Sequence, residues 1–295
     1  MQPSLFSRGP GHRIVWVRGS AFASMAIDAA VESFAVVGRH TQCGVALQDD
    51  PTVALRHLLV RSVVLPSGGV ALRVIDLYSD TGFLLPDGPR HTSVFAEGPI
   101  AIAVGSYALV ALPNESEGNE LPGEMPAPVV TTPPAVRDQL QVFAAAMSPY
   151  RMNARPLNRH SRITLMPSPV MVGEALPQTL GRLAGVARYM VSLARGHRIA
   201  SVALTDEDLV RGVMIGRSEK CHSEMLRRIT DESTSRAHVL ILREGACVHA
   251  YDLASTHGTY FDGYSIRRVT LADQGTVLML GRGDNAVRMQ WHQRA

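Results

Sequence analysis

The sequence predicts a mainly β protein, two domains of β-sandwich or barrel type joined by a Pro-rich linker and a short mixed segment. Short segments rich in Val, Ile, Leu and Tyr crowd both ends of the chain, each bounded by Gly, Asp, Ser or Pro. That is the pattern of turn-separated strands and not of alternating strand and helix units. Between the two groups lies "LPNESEGNELPGEMPAPVVTTPPAV", residues Leu112–Val136, whose Pro, Gly and Glu content cannot bury enough apolar surface to fold alone. The two groups also repeat one another in order, the mark of one fold used twice.

With 295 residues the chain is long enough for two domains with cores of their own, and 46% hydrophobic with 19% charged residues describes a folded chain. The early strands are "RIVWVRG", "SFAVVG", "HLLVRSVVL", "VALRVIDL" and "IAIAVGSYALVAL". The late ones are "RYMVSLA", "GVMIG", "HVLILRE", "CVHAYDL" and "TVLMLG". After the linker, "AVRDQLQVFAAAMS" has helical character and "RITLMPSPVMVGEAL" has room for two short strands. The expected boundaries are residues 1–112, 113–183 and 184–295.

Composition excludes several functions. A net charge of +3 is too small a surplus to indicate nucleic acid without a concentrated basic face. Lys220, in "GRSEKCHS", is the only lysine, and it fits neither a P-loop nor the strand lysine of a protein kinase. Cys43, Cys221 and Cys247 lack the dense spacing of a disulfide scaffold and read as buried free thiols in a reducing compartment. Cys221-His222 with Cys247 and His249 lacks the paired C-x-x-C that would signal zinc, so neither metal nor cofactor is expected. The apolar run "AFASMAIDAAVESFAVVG" is broken by Asp28 and Glu32, a poor membrane span, and the N-terminus has no signal-peptide core; the expected location is the cytoplasm. Ser235 and His238 have neither a nucleophile elbow nor an evident orienting carboxylate, so no enzyme is expected.

The repeat carries the positive signal. "VVGRHTQC" is matched by "MIGRSEKC", "VALRHLLV" by "TSRAHVLI", and "RVIDLYSDTGFLLPDG" by "HAYDLASTHGTYFDG". "AEGPIAIAVG" and "ADQGTVLMLG" close the two series. Gly216-Arg217, Ser235-Arg236-Ala237-His238 and Ser255-Thr256-His257-Gly258-Thr259, in that order, resemble the forkhead-associated (FHA) family over about residues 183–295. A weaker, degenerate resemblance runs over about residues 12–112.

The resemblance implies a β-sandwich that reads phosphothreonine on another protein. A phosphorylated threonine brings nearly two negative charges and three acceptor oxygens, so its reader needs donors fixed at one end of a rigid scaffold. By resemblance Arg217, Ser235 and Thr256 contact the phosphate, Arg236 lies beside them, and His238 holds neighbouring loops together. Gly216, Gly258 and Thr259 complete the motif. His257 stands where the family usually has Asn; it is expected to take the left-handed turn before Gly258 and to bond the peptide backbone. The first copy keeps Arg39 and His57, but Ala54 replaces the serine, Asp80 the phosphate-contacting threonine and Phe83 the second threonine. Asp80 would oppose a dianion, so this copy is expected to dock a partner without phosphate.

The expected function is a non-enzymatic adaptor in Ser/Thr-kinase signalling, with a Thr-phosphorylated protein as partner. The alternative is a phospho-independent scaffold for a signalling or secretion complex. The Arg-for-Lys, Ala-rich composition suits a bacterium. Thr131 and Thr132 in the linker are candidate phosphorylation sites.

Overall fold

The computed structural model describes residues 10–29, 33–85, 90–114, 170–172, 187–272 and 275–293. The chain divides into two compact units. Both are mainly β, each a pair of sheets around its own apolar core.

The first unit contains β1 (Gly11–Arg18), β2 (Ala21–Asp28), β3 (Phe34–Gly38), β4 (Val45–Ala46), β5 (Leu58–Val64) and β6 (Val70–Asp76). It continues through β7 (Phe83–Leu84), β8 (Arg90–His91), β9 (Ser93–Glu97), β10 (Ile100–Val104), β11 (Tyr107–Pro113) and β12 (Val170–Val172). One sheet has the order β2-β1-β11-β10-β7-β8 and the other β12-β9-β6-β5-β3-β4. Alternate residues point inward, as a two-residue repeat demands: Leu58 and Val60 of β5, Leu72 and Val74 of β6 and Val94 and Ala96 of β9 meet Ile14, Ile102 and Leu109 of the facing sheet. His12 is fully buried among them, its Nδ1 2.8 Å from Ser62 Oγ, and burial pushes its pKa down to about 4.

The second unit contains β13 (Tyr189–Arg195), β14 (Arg198–Leu204), β15 (Val213–Ile215), β16 (Val239–Glu244) and β17 (Cys247–Asp252). It ends with β18 (Thr259–Phe261), β19 (Tyr264–Ile266), β20 (Arg268–Thr270), β21 (Thr276–Leu280) and β22 (Val287–Gln293). Its sheets run β14-β13-β22-β21-β18-β19 and β15-β16-β17-β20. Tyr189, Val191 and Leu193 of β13 face the core with Leu278, Met289 and Trp291; the Trp291 and Tyr189 rings stack with centroids 5.1 Å apart.

The two units are copies in topology. The six-stranded sheet of the second has, strand for strand, the order of the first unit's β2-β1-β11-β10-β7-β8, while β15, β16, β17 and β20 stand where β3, β5, β6 and β9 stand. Each unit therefore brings three loops to one end: the loop after β3 or β15, the loop before β5 or β16, and the turn after β6 or β17.

Some readings change. The run "AFASMAIDAAVESFAVVG" resolves into β2 and β3, and β14 and β22 are strands that composition did not single out. Cys43 is buried, but Cys221 is half-buried and Cys247 exposed, because Cys247 opens β17 beside the Gly245 turn. Of "RITLMPSPVMVGEAL", Val170–Val172 forms β12 and extends the first unit's sheet by pairing with β9. The helical segment "AVRDQLQVFAAAMS", Thr131, Thr132 and most of the linker lie outside the described residues. Among the described residues, no helix is long and apolar enough to cross a membrane.

Candidate functional site

Backbone geometry first sets the three loops of the second unit against one another. A Cβ on Gly216 would lie 2.2 Å from the Arg236 carbonyl oxygen, so only glycine allows the loop after β15 to approach the Ser235–Arg236 backbone this closely. Arg217 N–H then donates to Ser235 O at 3.2 Å and Ser218 N–H to Arg236 O at 3.0 Å. Cys221 Sγ lies 3.3 Å from the same Arg236 carbonyl, and burial pushes the thiol up to about 12. That sulfur is part of the loop scaffold, not a nucleophile.

His238 ties the second loop to the third. It is fully buried; its Nδ1 accepts the Ser235 N–H at 3.1 Å, which fixes the proton on Nε2, and Nε2 donates to Gly258 O at 3.1 Å. The turn after β17 is organised by Asp252, whose carboxylate accepts from Ser255 N–H (2.8 Å), Ser255 Oγ (2.6 Å) and Thr259 Oγ1 (2.6 Å). Asp252 was not among the sequence candidates, although the repeat held the signal: Asp-Leu-x-Ser stands in both copies.

The candidate ligand groups sit on this frame. Arg217 is exposed; its Nε donates to Thr234 O at 3.1 Å, and among the described residues neither terminal nitrogen has a partner. The guanidinium is thus aimed by one edge while the other stays open, the geometry for binding two oxygens in parallel. Ser235 Oγ accepts the Thr256 N–H at 2.9 Å, while its own proton points to Thr256 Oγ1 across a weak 3.4 Å. Rotation of that hydroxyl frees a donor without moving the backbone. Ser235 is buried, whereas Thr256, His257 and Arg236 are exposed beside it. The structure therefore brings Arg217, Ser235 and Thr256 to one surface, with Arg236 and His257 alongside.

One expectation is overturned. His257 does not take the left-handed conformation; Ala254 (φ 55°) and Gly258 (φ 76°) do. The Asp252–Ser255 bonds close the turn two residues earlier than the motif suggested, so His257 keeps an ordinary backbone and an exposed ring.

The first unit repeats the backbone, histidine and Asp–Ser bonds of this frame. A Cβ on Gly38 would lie 2.4 Å from Leu55 O; Arg39 N–H donates to Ala54 O at 3.0 Å and Arg39 Nε to Val53 O at 3.0 Å. His57 is fully buried, with Nδ1 accepting from Ala54 N–H at 3.0 Å and Nε2 donating to Gly82 O at 2.8 Å. Asp76 accepts from Ser79 N–H (3.0 Å) and Ser79 Oγ (2.5 Å), and Tyr78 (φ 59°) turns left-handed where Ala254 does. What differs is the chemistry at the mouth. Ala54 has no hydroxyl, exposed Asp80 is a carboxylate, and Phe83 is buried in the core where Thr259 bonds Asp252.

Residues 213–281, spanning all three loops of the second unit, match the family model described as the FHA domain. The second unit carries an FHA domain. The first is an FHA-like copy of it in strand order and loop bonding. Among solved structures, the chain is similar to Rv1747 FHA-1 of Mycobacterium tuberculosis, at 17% identity over 37% of this chain and 100% of that one, TM-score 0.28. It is similar also to the FHA domain of the CT664 protein from Chlamydia trachomatis, at 22% identity over 37% and 99%, TM-score 0.30. The FhaA FHA domain, solved in complex with the intracellular domain of Rv3910, matches at 24% identity over 35% and 99%, TM-score 0.27. The comparison with curated proteins gave no match. FHA domains are phosphothreonine-recognition modules of protein–protein interaction, and the family is not enzymatic.

Proposed function

We propose that this protein is a phosphothreonine-reading adaptor whose FHA domain binds a Thr-phosphorylated partner in a Ser/Thr-kinase pathway. The observation that carries the reading is the state of Arg217: held through Nε on Thr234 O, without a partner at either terminal nitrogen among the described residues, and on a loop whose backbone bonds that of Ser235, itself paired with Thr256. Arg217 holds two phosphate oxygens, the Ser235 and Thr256 hydroxyls donate to the phosphate, and Arg236 adds charge at the rim. His257 faces the peptide beside the phosphothreonine.

The first unit supports a second, complementary reading. It keeps the frame and Arg39 but presents Ala54 and Asp80 at the mouth, so it docks a protein without phosphate and positions it relative to the phosphorylated one.

The test is binding of the full-length chain to a degenerate phosphothreonine-peptide library, with the unphosphorylated library and Arg217→Ala as controls. Phosphate-dependent capture lost in Arg217→Ala is the expected result. Equal capture of both libraries would instead make both units phospho-independent scaffolds.

A further inference from the structure

The turn that carries Thr256 and His257 is joined to one more loop, between β21 and β22, that the proposed phosphate contacts do not use. Gly281 N–H donates to Gly258 O at 2.9 Å, the same carbonyl that accepts from His238. Gly281 adopts φ +90°, and a Cβ there would lie 3.3 Å from Ser233 O and 3.8 Å from His257 Cβ. The loop is thus pressed against the phosphate turn. Ser233, in turn, bonds Asn285 O at 2.9 Å and the Asp231 carboxylate at 2.5 Å, and Asp231 pairs with Arg195. The next residue, Arg282, therefore leaves a fixed backbone point beside His257.

Its side chain is also held. The Arg282 guanidinium carbon lies 4.7 Å from the centroid of the Tyr260 ring, and that ring packs on the phosphate turn: a Cβ on Gly258 would fall 2.8 Å from Tyr260 Oη. A guanidinium held over a ring face by cation–π attraction spends no N–H group on a hydrogen-bond acceptor there, so its donors are available to another partner. Arg282 is exposed, and among the described residues no carboxylate pairs with it, although Asp284 is two residues away in the same loop and Asp262 two residues beyond Tyr260. An arginine ordered by an aromatic platform, with its donor edge unused at the border of an anion site, is prepared for a second, planar anion.

We infer that Arg282, seated on Tyr260, is a specificity-determining residue that selects phosphothreonine peptides carrying an aspartate or glutamate close to the phosphothreonine. This rests on the phosphothreonine reading of the FHA domain. The carboxylate takes the in-plane edge of Arg282, while the phosphate takes Arg217, Ser235 and Thr256.

The experiment is fluorescence anisotropy on the full-length chain with synthetic phosphothreonine peptides flanked by alanines, in which single positions on either side are replaced by Asp or by Lys. The expected result is one position where Asp binds roughly 10-fold tighter than Lys, as for one charge-assisted contact in a partly exposed site. Arg282→Gln should abolish that preference and Arg282→Glu reverse it. Arg282→Gln should leave the all-alanine phosphopeptide within about twofold and the melting temperature within about 2 °C of wild type, the scale of a surface change, whereas Arg282→Glu weakens every phosphopeptide and is read only by its order of preference. Phosphate-dependent binding without an acidic preference, or with one that survives Arg282→Gln, overturns the inference and leaves the phosphothreonine reading intact. No phosphate-dependent binding to any peptide overturns the phosphothreonine reading and the inference with it.

Discussion

His57 and His238 make the same two hydrogen bonds in different sandwiches, each accepting a backbone N–H three residues earlier through Nδ1 and donating through Nε2 to the carbonyl of the turn glycine. One unit has the hydroxyls of the proposed phosphate site and the other does not, so the pair of bonds belongs to the fold. Replacing either histidine by alanine leaves a buried N–H and a buried carbonyl unsatisfied and should lower stability by roughly 2–4 kcal/mol. Denaturant unfolding of the two variants should show losses of similar size. Destabilisation by His238→Ala alone would mean that the shared bonds do not carry the same weight in the two sandwiches.

Arg217→Ala should remove phosphopeptide binding with little change in melting temperature, since the Arg217 side chain is exposed and makes one neutral-acceptor bond, Nε to Thr234 O. Each lost charge-assisted bond is worth about 1.5–3 kcal/mol, so a drop of at least 10-fold to 100-fold is expected by calorimetry. Arg217→Lys should recover only part of it, because an ammonium cannot bond two oxygens in parallel.

The retained frame of the first unit makes a gain of function testable. Ala54→Ser with Asp80→Thr supplies the two missing hydroxyls and removes the opposing carboxylate. Introduced into an Arg217→Ala background, the pair should restore measurable phosphate-dependent binding through Arg39. If binding stays absent while the variant melts normally, identity of the frame is not enough for recognition.

Stability should fall in mild acid through His12. In the folded chain its pKa is about 4, against 6.5 in the unfolded chain, because burial disfavours the imidazolium. Between these values the unfolded chain binds the proton that the folded chain refuses, so the contribution is complete above about pH 6.5 and lost as pH falls toward 4. The loss is on the order of 3 kcal/mol. Denaturation midpoints across this range should flatten in His12→Gln relative to wild type, even though the variant starts less stable.

The three thiols should alkylate in an order set by their surroundings. Cys247 is exposed and should react first, while Cys221, with its pKa raised to about 12 by burial, and buried Cys43 should wait for unfolding. Peptide mapping after brief treatment with iodoacetamide reads the order directly.

Much of the fold was legible because Val, Ile and Leu runs between turn residues survive as strands whatever packs on them, as in β5, β6, β16 and β17. The frame of the site was legible for a different reason: Gly38 and Gly216 occupy points where any side chain would strike backbone, and such residues are readable without knowing what they approach. What escaped was exposed or brief. β2 is an edge strand with Ala21, Phe22, Ala23 and Ser24 all open to solvent, so its apolar content resembled a continuous run and gave no alternation. The helix Asp206–Arg211 is only six residues long, too short for periodicity; its signature was the capping box of Thr205 and Asp208. The conformation of His257 was beyond reach because it depends on Asp252 closing the turn upstream, a contact between residues that look unremarkable one at a time.

The strand order of the six-stranded sheet has a consequence for how the chain emerges from the ribosome. In the second unit β22 lies between β13 and β21, so the strand of that unit latest in the chain fills an interior place. Until it arrives, β13 and β14 form a hairpin cut off from the rest of their sheet, and the Arg217, Ser235 and Thr256 loops are already made but rest on an open half-sandwich. The first unit places β11 in the equivalent slot between β1 and β10, and that strand is complete by Pro113. The first unit can thus close this sheet well before the second, whose three loops rest on a complete sandwich only once β22 has been added.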